Sequence, residues 1–408
     1  MKTEFKFKTL TIIIFCLYVF WGSFGVDLIL HPDTERIPLH RAFILLTFFI
    51  FLFNAQQVLT GCLKNKLLIT LLIYTLLTAA WANKPTDTIK NFVFLSSALF
   101  ISIMAALAYA NNRISLIRWL FWLFLLMTLA SIFTSLIFPQ IGINSVSFDK
   151  PRWIGITTHP NALGMQSLVS IWLSINLFFF SKNKLEKIII LLAIILGFYT
   201  IIKADSMTSL ITSMVIIGYT SYYYLFKKIS LPIKIILFFF SALSLLFIVS
   251  FYMSTSELTN ATIASTGRDA SFSGRSRQWQ ISLAAVYDNL IFGFGFDTLE
   301  QLTKRFHINM TQLHNGYIET LVKGGMVAGI LLAITLIKTF FQQQKMKLLH
   351  KQDFVFLNGG LVMILIHNFT ESSILKGLNP LSIFLIFIIV STSLVPKDNS
   401  NQSLPLSQ

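Results

Sequence analysis

Apolar runs of about 17–25 residues, the span a helix needs to cross hydrocarbon, recur along nearly all of this 408-residue chain. Short polar clusters separate them. Lipid offers no partner for loose backbone N–H and C=O groups, so the runs predict helices. The pattern places about twelve spans, near residues 9–30, 42–59, 67–82, 91–110, 115–138, 161–180, 186–203, 206–226, 231–253, 315–341, 353–368 and 378–395. One interruption is long. Residues 254–313 form an extended polar insertion between the ninth and tenth spans. The predicted fold is an all-α polytopic membrane bundle, a single domain over residues 1–408, with one large periplasmic loop containing short helices.

Composition agrees with the pattern. The chain is 55% hydrophobic and 12% charged, with 40 Phe and 7 Trp, where a soluble domain carries about 25% charge. The first span follows Lys2, Lys6 and Lys8 and is expected to be retained, because no small-residue cleavage site follows it. With a cytoplasmic N-terminus, most of the 32 basic residues fall in cytoplasmic loops beside only Glu4, Glu186, Asp353 and Asp398, as the positive-inside bias requires. The net charge of +15 therefore reads as topology and attraction to anionic lipid, not nucleic-acid binding. An even span count puts both termini inside and the long loop outside. Cys16 lies within a span and Cys62 in a cytoplasmic turn, so neither a disulfide nor a metal site is expected from them.

The polar candidates gather in the outward loops. Asp149-Lys150-Pro151-Arg152-Trp153-Ile154-Gly155 precedes Thr158-His159-Pro160-Asn161, which reads as a turn and a helix start with Asn161 as candidate cap. The long loop holds Gly267-Arg268-Asp269 and Gly274-Arg275, then a predicted helix from Arg277 to Leu290. There Trp279, Leu283, Val286, Tyr287 and Leu290 form an apolar stripe. Phe292-Gly293-Phe294-Gly295-Phe296 follows, and His314-Asn315-Gly316-Tyr317-Ile318-Glu319 opens the next span, whose Gly324-Gly325 and Gly329 read as close helix packing.

Two kinds of side chain stand out chemically. Histidine can take a proton and release it near neutral pH, and His314 sits at a helix mouth with Glu319 five residues on. An interfacial histidine bonded only to a loop carbonyl fits the same position. Arg152, Arg268, Arg275 and Arg277 are suited to bidentate, charge-assisted binding of phosphate oxygens, or to plain contact with solvent and headgroups. Asp149 and Asp269 each lie near one of these arginines. His159, His367, Glu371 and Lys376 are weaker candidates in neighbouring loops. Phosphate-binding Gly-x-x-x-x-Gly-Lys-Ser/Thr loops are absent, and the middles of the expected spans carry no Asp, Glu, Lys or Arg. That argues against an ion-coupled transporter.

Taken in order, Arg152-Trp153-Ile154-Gly155 with His159-Pro160-Asn161, the two Gly-Arg pairs, Phe292 to Phe296 and His314 to Glu319 resemble the O-antigen ligase and O-antigen or exopolysaccharide polymerase superfamily. The motif resemblance covers roughly residues 152–329, and the Gly-Arg spacing looks closer to the polymerases. It implies a metal-independent, inverting glycosyltransferase without cofactor, working outside the bacterial inner membrane. The donor would be an undecaprenyl-diphosphate-linked oligosaccharide. The acceptor would be a sugar hydroxyl of a growing glycan or of lipid A-core. By the same resemblance, His314 matches the proposed catalytic base, and Arg152, Arg268 and Arg275 would bind the diphosphate. Asn315, Glu319 and Asp269 would support them. The alternatives are a transporter or flippase of lipid-linked oligosaccharides, and a non-catalytic scaffold of envelope assembly.

Overall fold

The computed structural model describes residues 2–23, 38–144, 151–225, 275–296, 299 and 312–394. Helices account for most of them: α1 (Lys2–Ser23), α2 (Pro38–Phe53), α3 (Ala55–Lys64), α4 (Lys66–Leu77), α5 (Pro85–Asn111), α6 (Arg113–Ile137), α7 (Pro139–Gly142), α8 (Pro160–Phe180), α9 (Lys184–Lys203), α10 (Met207–Tyr224), α11 (Arg275–Asp288), α12 (Gly316–Leu349), α13 (Lys351–His367) and α14 (Pro380–Leu394). The helical membrane fold read from the sequence is therefore observed. Its uniformity is not. Among the described residues five helices, α5, α6, α8, α9 and α12, are long and apolar enough to cross a membrane, or six if the bent pair α2 and α3 counts as one span.

Among the described residues the expected twelve spans are therefore not all seen. The expected span at 42–59 is broken by a 98° bend at Asn54, whose backbone leaves the helical region. Helices α4, α13 and α14 are apolar or buried but stop at 12, 17 and 15 residues. The span expected at 231–253, the opening of the long loop, Asp149, Arg268 and Asp269 lie outside the described residues.

Helix α8 is the hub. It packs against α6, α9 and α10, and Trp172 at its middle stacks on Phe356 of α13 at 4.5 Å between centroids, with Phe384 of α14 edge-on at 5.5 Å. Phe15, Phe121, Phe124 and Phe387 extend this fully buried aromatic core. Offset and edge-on rings favour such packing beyond their area alone, and in lipid, packing replaces the hydrophobic drive between helices.

Charges hold the two ends. At one end Arg113 pairs with buried Asp353 at 2.9 Å, and Tyr109 Oη donates to the same carboxylate at 3.0 Å. Arg118 grips Glu186 through two bonds of 2.6 and 3.1 Å. The opposite end carries the loops around Arg152, His314 and Glu371. A two-stranded antiparallel ladder, β1 (Ile143–Asn144) and β2 (Arg152–Trp153), pairs Asn144 with Arg152 there. It is an addition to the all-helical expectation.

Helix α12 is not continuous. Gly325 has φ 61° and ψ −164°, a kink inside the helix. The backbone groups that the break frees are taken up by the 290–295 segment. Phe294 N donates to Val322 O at 2.9 Å and Gly295 N to Lys323 O at 2.8 Å. Met326 N and Val327 N donate to Leu290 O and Ile291 O. Gly293, also at positive φ, lies where a Cβ would meet Gly325 N at 2.5 Å. The glycines of both motifs thus allow two backbones to interlock. The expected close packing is present, but between a loop and a broken helix. Broken membrane helices persist where neighbouring groups re-satisfy the backbone.

Candidate functional site

The site is built from three segments that converge on the turn between α13 and α14. The first is the start of α12. Asn315 caps this helix, its Oδ1 accepting from Tyr317 N and Ile318 N at 3.0 Å each, as an N-cap asparagine does. Its Nδ2 donates to Phe369 O and its backbone N to Ser372 Oγ. Gly316 N donates to both Asn368 O and Glu371 O. A Cβ at Gly316 would collide with the Asn368 side chain. The 368–373 turn is therefore clamped onto the mouth of α12.

That clamp sets His314. Its backbone is left-handed, with φ 49°, and Asp205 and Leu375 share this rare conformation at the same end of the bundle. Among the described residues these are the non-glycine positions with positive φ. Each costs on the order of 1–3 kcal/mol, and such strain clusters where function requires it. His314 Nδ1 lies 3.4 Å from Glu371 Oε2, and its Nε2 lies 3.5 Å from Gln312 Nε2.

The second segment is the 151–161 loop with the start of α8. Here His159, not Asn161, caps the helix: its Nδ1 accepts from Asn161 N. The Asn161 side chain is left to do something else. It donates from Nδ2 to Glu371 Oε1 at 2.6 Å and accepts at Oδ1 from Arg152 Nη2 at 3.1 Å. The third segment is the turn after α9, where Arg152 Nε donates to Ala204 O at 2.9 Å and Nη2 to Asp205 O at 2.8 Å. These neutral acceptors orient the guanidinium. The result is one connected line, Arg152 to Asn161 to Glu371 to His314. Glu371, with 6% of its surface exposed, joins the two halves.

Beside this line lies a second charge group. Glu319, 4% exposed, pairs with Lys323 at 3.0 Å and Lys376 at 3.3 Å, and its Oε2 accepts from Leu313 N at 3.3 Å. Burial, partly opposed by Glu319, pushes the Lys376 ammonium below the ordinary lysine range. A small depression open to solvent, with room for about one water molecule, is lined by Phe296, Glu319, Thr320, Lys323, Ile374, Leu375 and Lys376.

The structure thus brings together His314, Arg152, Asn315 and Glu319 from the sequence reading. Arg275 begins α11, and its side chain, like that of Arg277, lies outside the description. Helix α11 is close to where the spacing put it, and its apolar stripe is partly packed on the protein. Ala285 and Val286 pack with Leu313 and Val322, while Leu283, Tyr287 and Leu290 stay exposed. Trp279 Nε1 donates to Leu313 O at 3.0 Å, which ties this helix to the residue before His314. Among the described residues no three His, Cys, Asp or Glu side chains gather as metal ligands would.

Fold and site together define a multi-pass helical membrane protein with a connected polar network at one end. Residues 192–333 match a family model described as O-Antigen ligase. Over 144 residues the chain is 28% identical to the exopolysaccharide production protein ExoQ of Rhizobium meliloti (strain 1021). That stretch covers 32% of this chain and 33% of the relative, so the likeness spans about a third of each. Both findings support the O-antigen ligase and polymerase superfamily for this chain. The family match takes in His314, Asn315, Glu319 and the Gly325 break. Arg152, Asn161, Glu371 and Lys376 lie outside it.

Proposed function

We propose that this protein is a membrane glycosyltransferase of the polymerase or ligase type. It joins an oligosaccharide from undecaprenyl diphosphate to a sugar hydroxyl of a growing glycan or of lipid A-core, on the outer face of the inner membrane. The observation that carries this reading is the line from Arg152 through Asn161 and Glu371 to His314. It sets a cation and an imidazole in one polar network at the mouth of the bundle.

The chemistry follows from that pairing. The acceptor hydroxyl oxygen attacks the anomeric carbon of the donor sugar. The bond from that carbon to the phosphate oxygen breaks, and its electron pair leaves on the diphosphate. His314 Nε2 takes the hydroxyl proton, because Nδ1 faces the Glu371 carboxylate. A carboxylate on Nδ1 holds the proton there, keeps Nε2 as the acceptor, and stabilises the imidazolium once formed. Charge on the departing diphosphate is met by fixed cations rather than by a metal, Arg152 among them and Arg268 and Arg275 by resemblance. Pre-oriented donors need no reorganisation during the reaction.

Glycan from a deletion strain complemented with His314→Ala tests this reading. At normal membrane abundance the variant is expected to give no chain extension or attachment. Full-length surface polysaccharide from it would remove the assignment. In the deletion strain, a single repeat on core marks a polymerase, and bare core with accumulated lipid-linked polymer marks a ligase.

A further inference from the structure

Helix α11 buries one face and leaves another bare. Ser282, Ala285 and Val286 turn inward, the last two against Leu313 and Val322. Leu283, Tyr287 and Leu290 repeat at helical spacing on a second face and stay exposed, Tyr287 at 79%. Ile291 and Phe292 continue that face beyond the helix, at 57% and 56%. Gln280, Ala284 and Asp288 fall on a third face, also exposed. A cluster of large apolar side chains is thus displayed next to a polar face.

The backbone beneath those side chains is closed in a way that water does not require. Leu290 O accepts from Met326 N at 2.8 Å and Ile291 O from Val327 N at 3.2 Å. Phe292 O accepts from Tyr74 Oη at 3.2 Å, and Gly293 O from Trp81 Nε1 at 3.1 Å. Every carbonyl from Leu290 to Gly293 therefore has a protein donor, two of them side chains brought from α4 and the turn after it. A surface turn in water leaves such oxygens to solvent. Hydrocarbon offers no partner, and non-helical backbone persists at membrane depth only where protein satisfies it.

The same bonds set the depth of the segment. Met326 begins an exposed apolar stripe that runs through Ile330, Ile334 and Ile337 to Phe341, on a helix long and apolar enough to cross a membrane. Gln342, Gln343, Gln344 and Lys345 end that stripe. Lys338, one turn before them, is exposed and long enough to snorkel to their level. A helix needs about 20 residues to cross hydrocarbon, so counting back from Gln342 brings the apolar slab to about residue 322. Leu290 and Ile291, bonded to Met326 and Val327, lie at a height where α12 itself faces lipid. Trp81, 40% exposed, stands against Phe292 with ring centroids 5.8 Å apart, as an indole does near a membrane interface.

We propose that residues 283–292 are a membrane-inserted element, with Leu283, Tyr287, Leu290, Ile291 and Phe292 set in the lipid of the leaflet on the His314 side. The chain dips below the headgroups, bonds to the broken part of α12 and turns back at Gly293. The occupant of the bare face is lipid, because the face is continuous with the lipid-facing stripe of α12 and its backbone is sealed as hydrocarbon demands. The element also reaches the candidate site. Trp279 Nε1, on the same helix, donates to Leu313 O, so the anchor ties the level of the bilayer to the residue before His314.

The test uses full-length protein in lipid nanodiscs, with Cys16→Ala and Cys62→Ser as background. Single nitroxides are attached after Phe292→Cys or Tyr287→Cys, with Ile330→Cys as the lipid reference and Gln280→Cys as the water reference. All four side chains are exposed, and each variant is used once it melts as its parent does; Leu290→Cys replaces one that does not. Collision with oxygen, which concentrates in lipid, is compared with collision with a water-soluble nickel chelate. The label at 292 is expected to give an oxygen-to-nickel ratio within twofold of that at 330. The label at 287 should lie between the two references, and the label at 280 should favour nickel. A ratio at 292 equal to that at 280 would place the face in water and overturn the proposal. Exclusion of both reagents from 292 would show that protein covers the face, and would overturn it as well.

Discussion

Glu371 is the residue on which the two halves of the site depend, and Glu371→Gln is the sharpest perturbation of it. The substitution keeps size and shape. Its remaining carbonyl oxygen can still accept from Asn161 Nδ2, now at 2.6 Å from Oε1. What changes is the group facing His314 Nδ1, where a carboxylate oxygen at 3.4 Å becomes an amide N–H. Two donors cannot face each other, so the imidazole moves its proton to Nε2, the atom proposed to receive the acceptor's proton. General-base assistance is worth about 10²–10⁴ in rate. A contact of 3.4 Å is long for an N–H···O bond, so the lower end applies. The expected loss is about 100-fold, equal to about 2.7 kcal/mol of transition-state stabilisation. The assay is the rate of chain extension by purified protein at matched amounts, with donor binding measured in parallel. Binding should hold while turnover falls. Turnover within twofold of wild type would show that the carboxylate does not set the imidazole, and the proton-acceptor role of Nε2 would lose its support.

Other outcomes follow from the same geometry. Arg152→Lys should cut activity at least tenfold and lower the melting temperature in detergent. One ammonium cannot reach Ala204 O, Asp205 O and Asn161 Oδ1 as the planar fork does; a variant with normal glycan and melting would make the arginine dispensable. Gly325→Ala should reduce membrane abundance and destabilise the protein by at least about 2 kcal/mol, because φ is 61° and the new Cβ meets the Ile291 carbonyl; wild-type abundance and melting would refute the interlock. Asn161→Ala should separate the two halves of the site and lower turnover with little effect on insertion, since His159 rather than Asn161 caps α8. A folding defect in that variant, read as lost abundance, would show that the asparagine serves the helix instead.

The helices were legible because hydrocarbon leaves the backbone few options, and α5, α6, α8, α9 and α12 start within a few residues of the expected spans. Bends were less legible. Nothing local to Asn54 announces a 98° turn, and Gly324-Gly325 reads equally as packing or as a break. The break becomes tolerable only because a segment thirty-odd residues earlier supplies its hydrogen bonds. In the candidate site, His314 and Arg152 stand in motifs, and the structure joins them in one polar network. Glu371 stands in none: its partners are 57 residues away at His314 and 210 at Asn161, a separation no spacing rule reaches. Its one local sign was a carboxylate in a short outward loop. Asn161 was misassigned because Asn after His-Pro satisfies capping statistics, while here His159 Nδ1 takes the cap and releases the asparagine to bridge Arg152 and Glu371. Lys376 reads from the sequence as a weaker candidate for the same reason as Glu371, since its partner Glu319 lies on a different segment, helix α12.

The most direct measurement is chain extension by purified protein in liposomes, with undecaprenyl-diphosphate-linked oligosaccharide as the sole sugar source and neither nucleotide sugar nor added protein present. The account expects a ladder of longer lipid-linked glycans from the wild type, released undecaprenyl diphosphate in equal amount, and neither product from His314→Ala. Glycan that crosses the bilayer unchanged, with no new linkage and no diphosphate released, would contradict it.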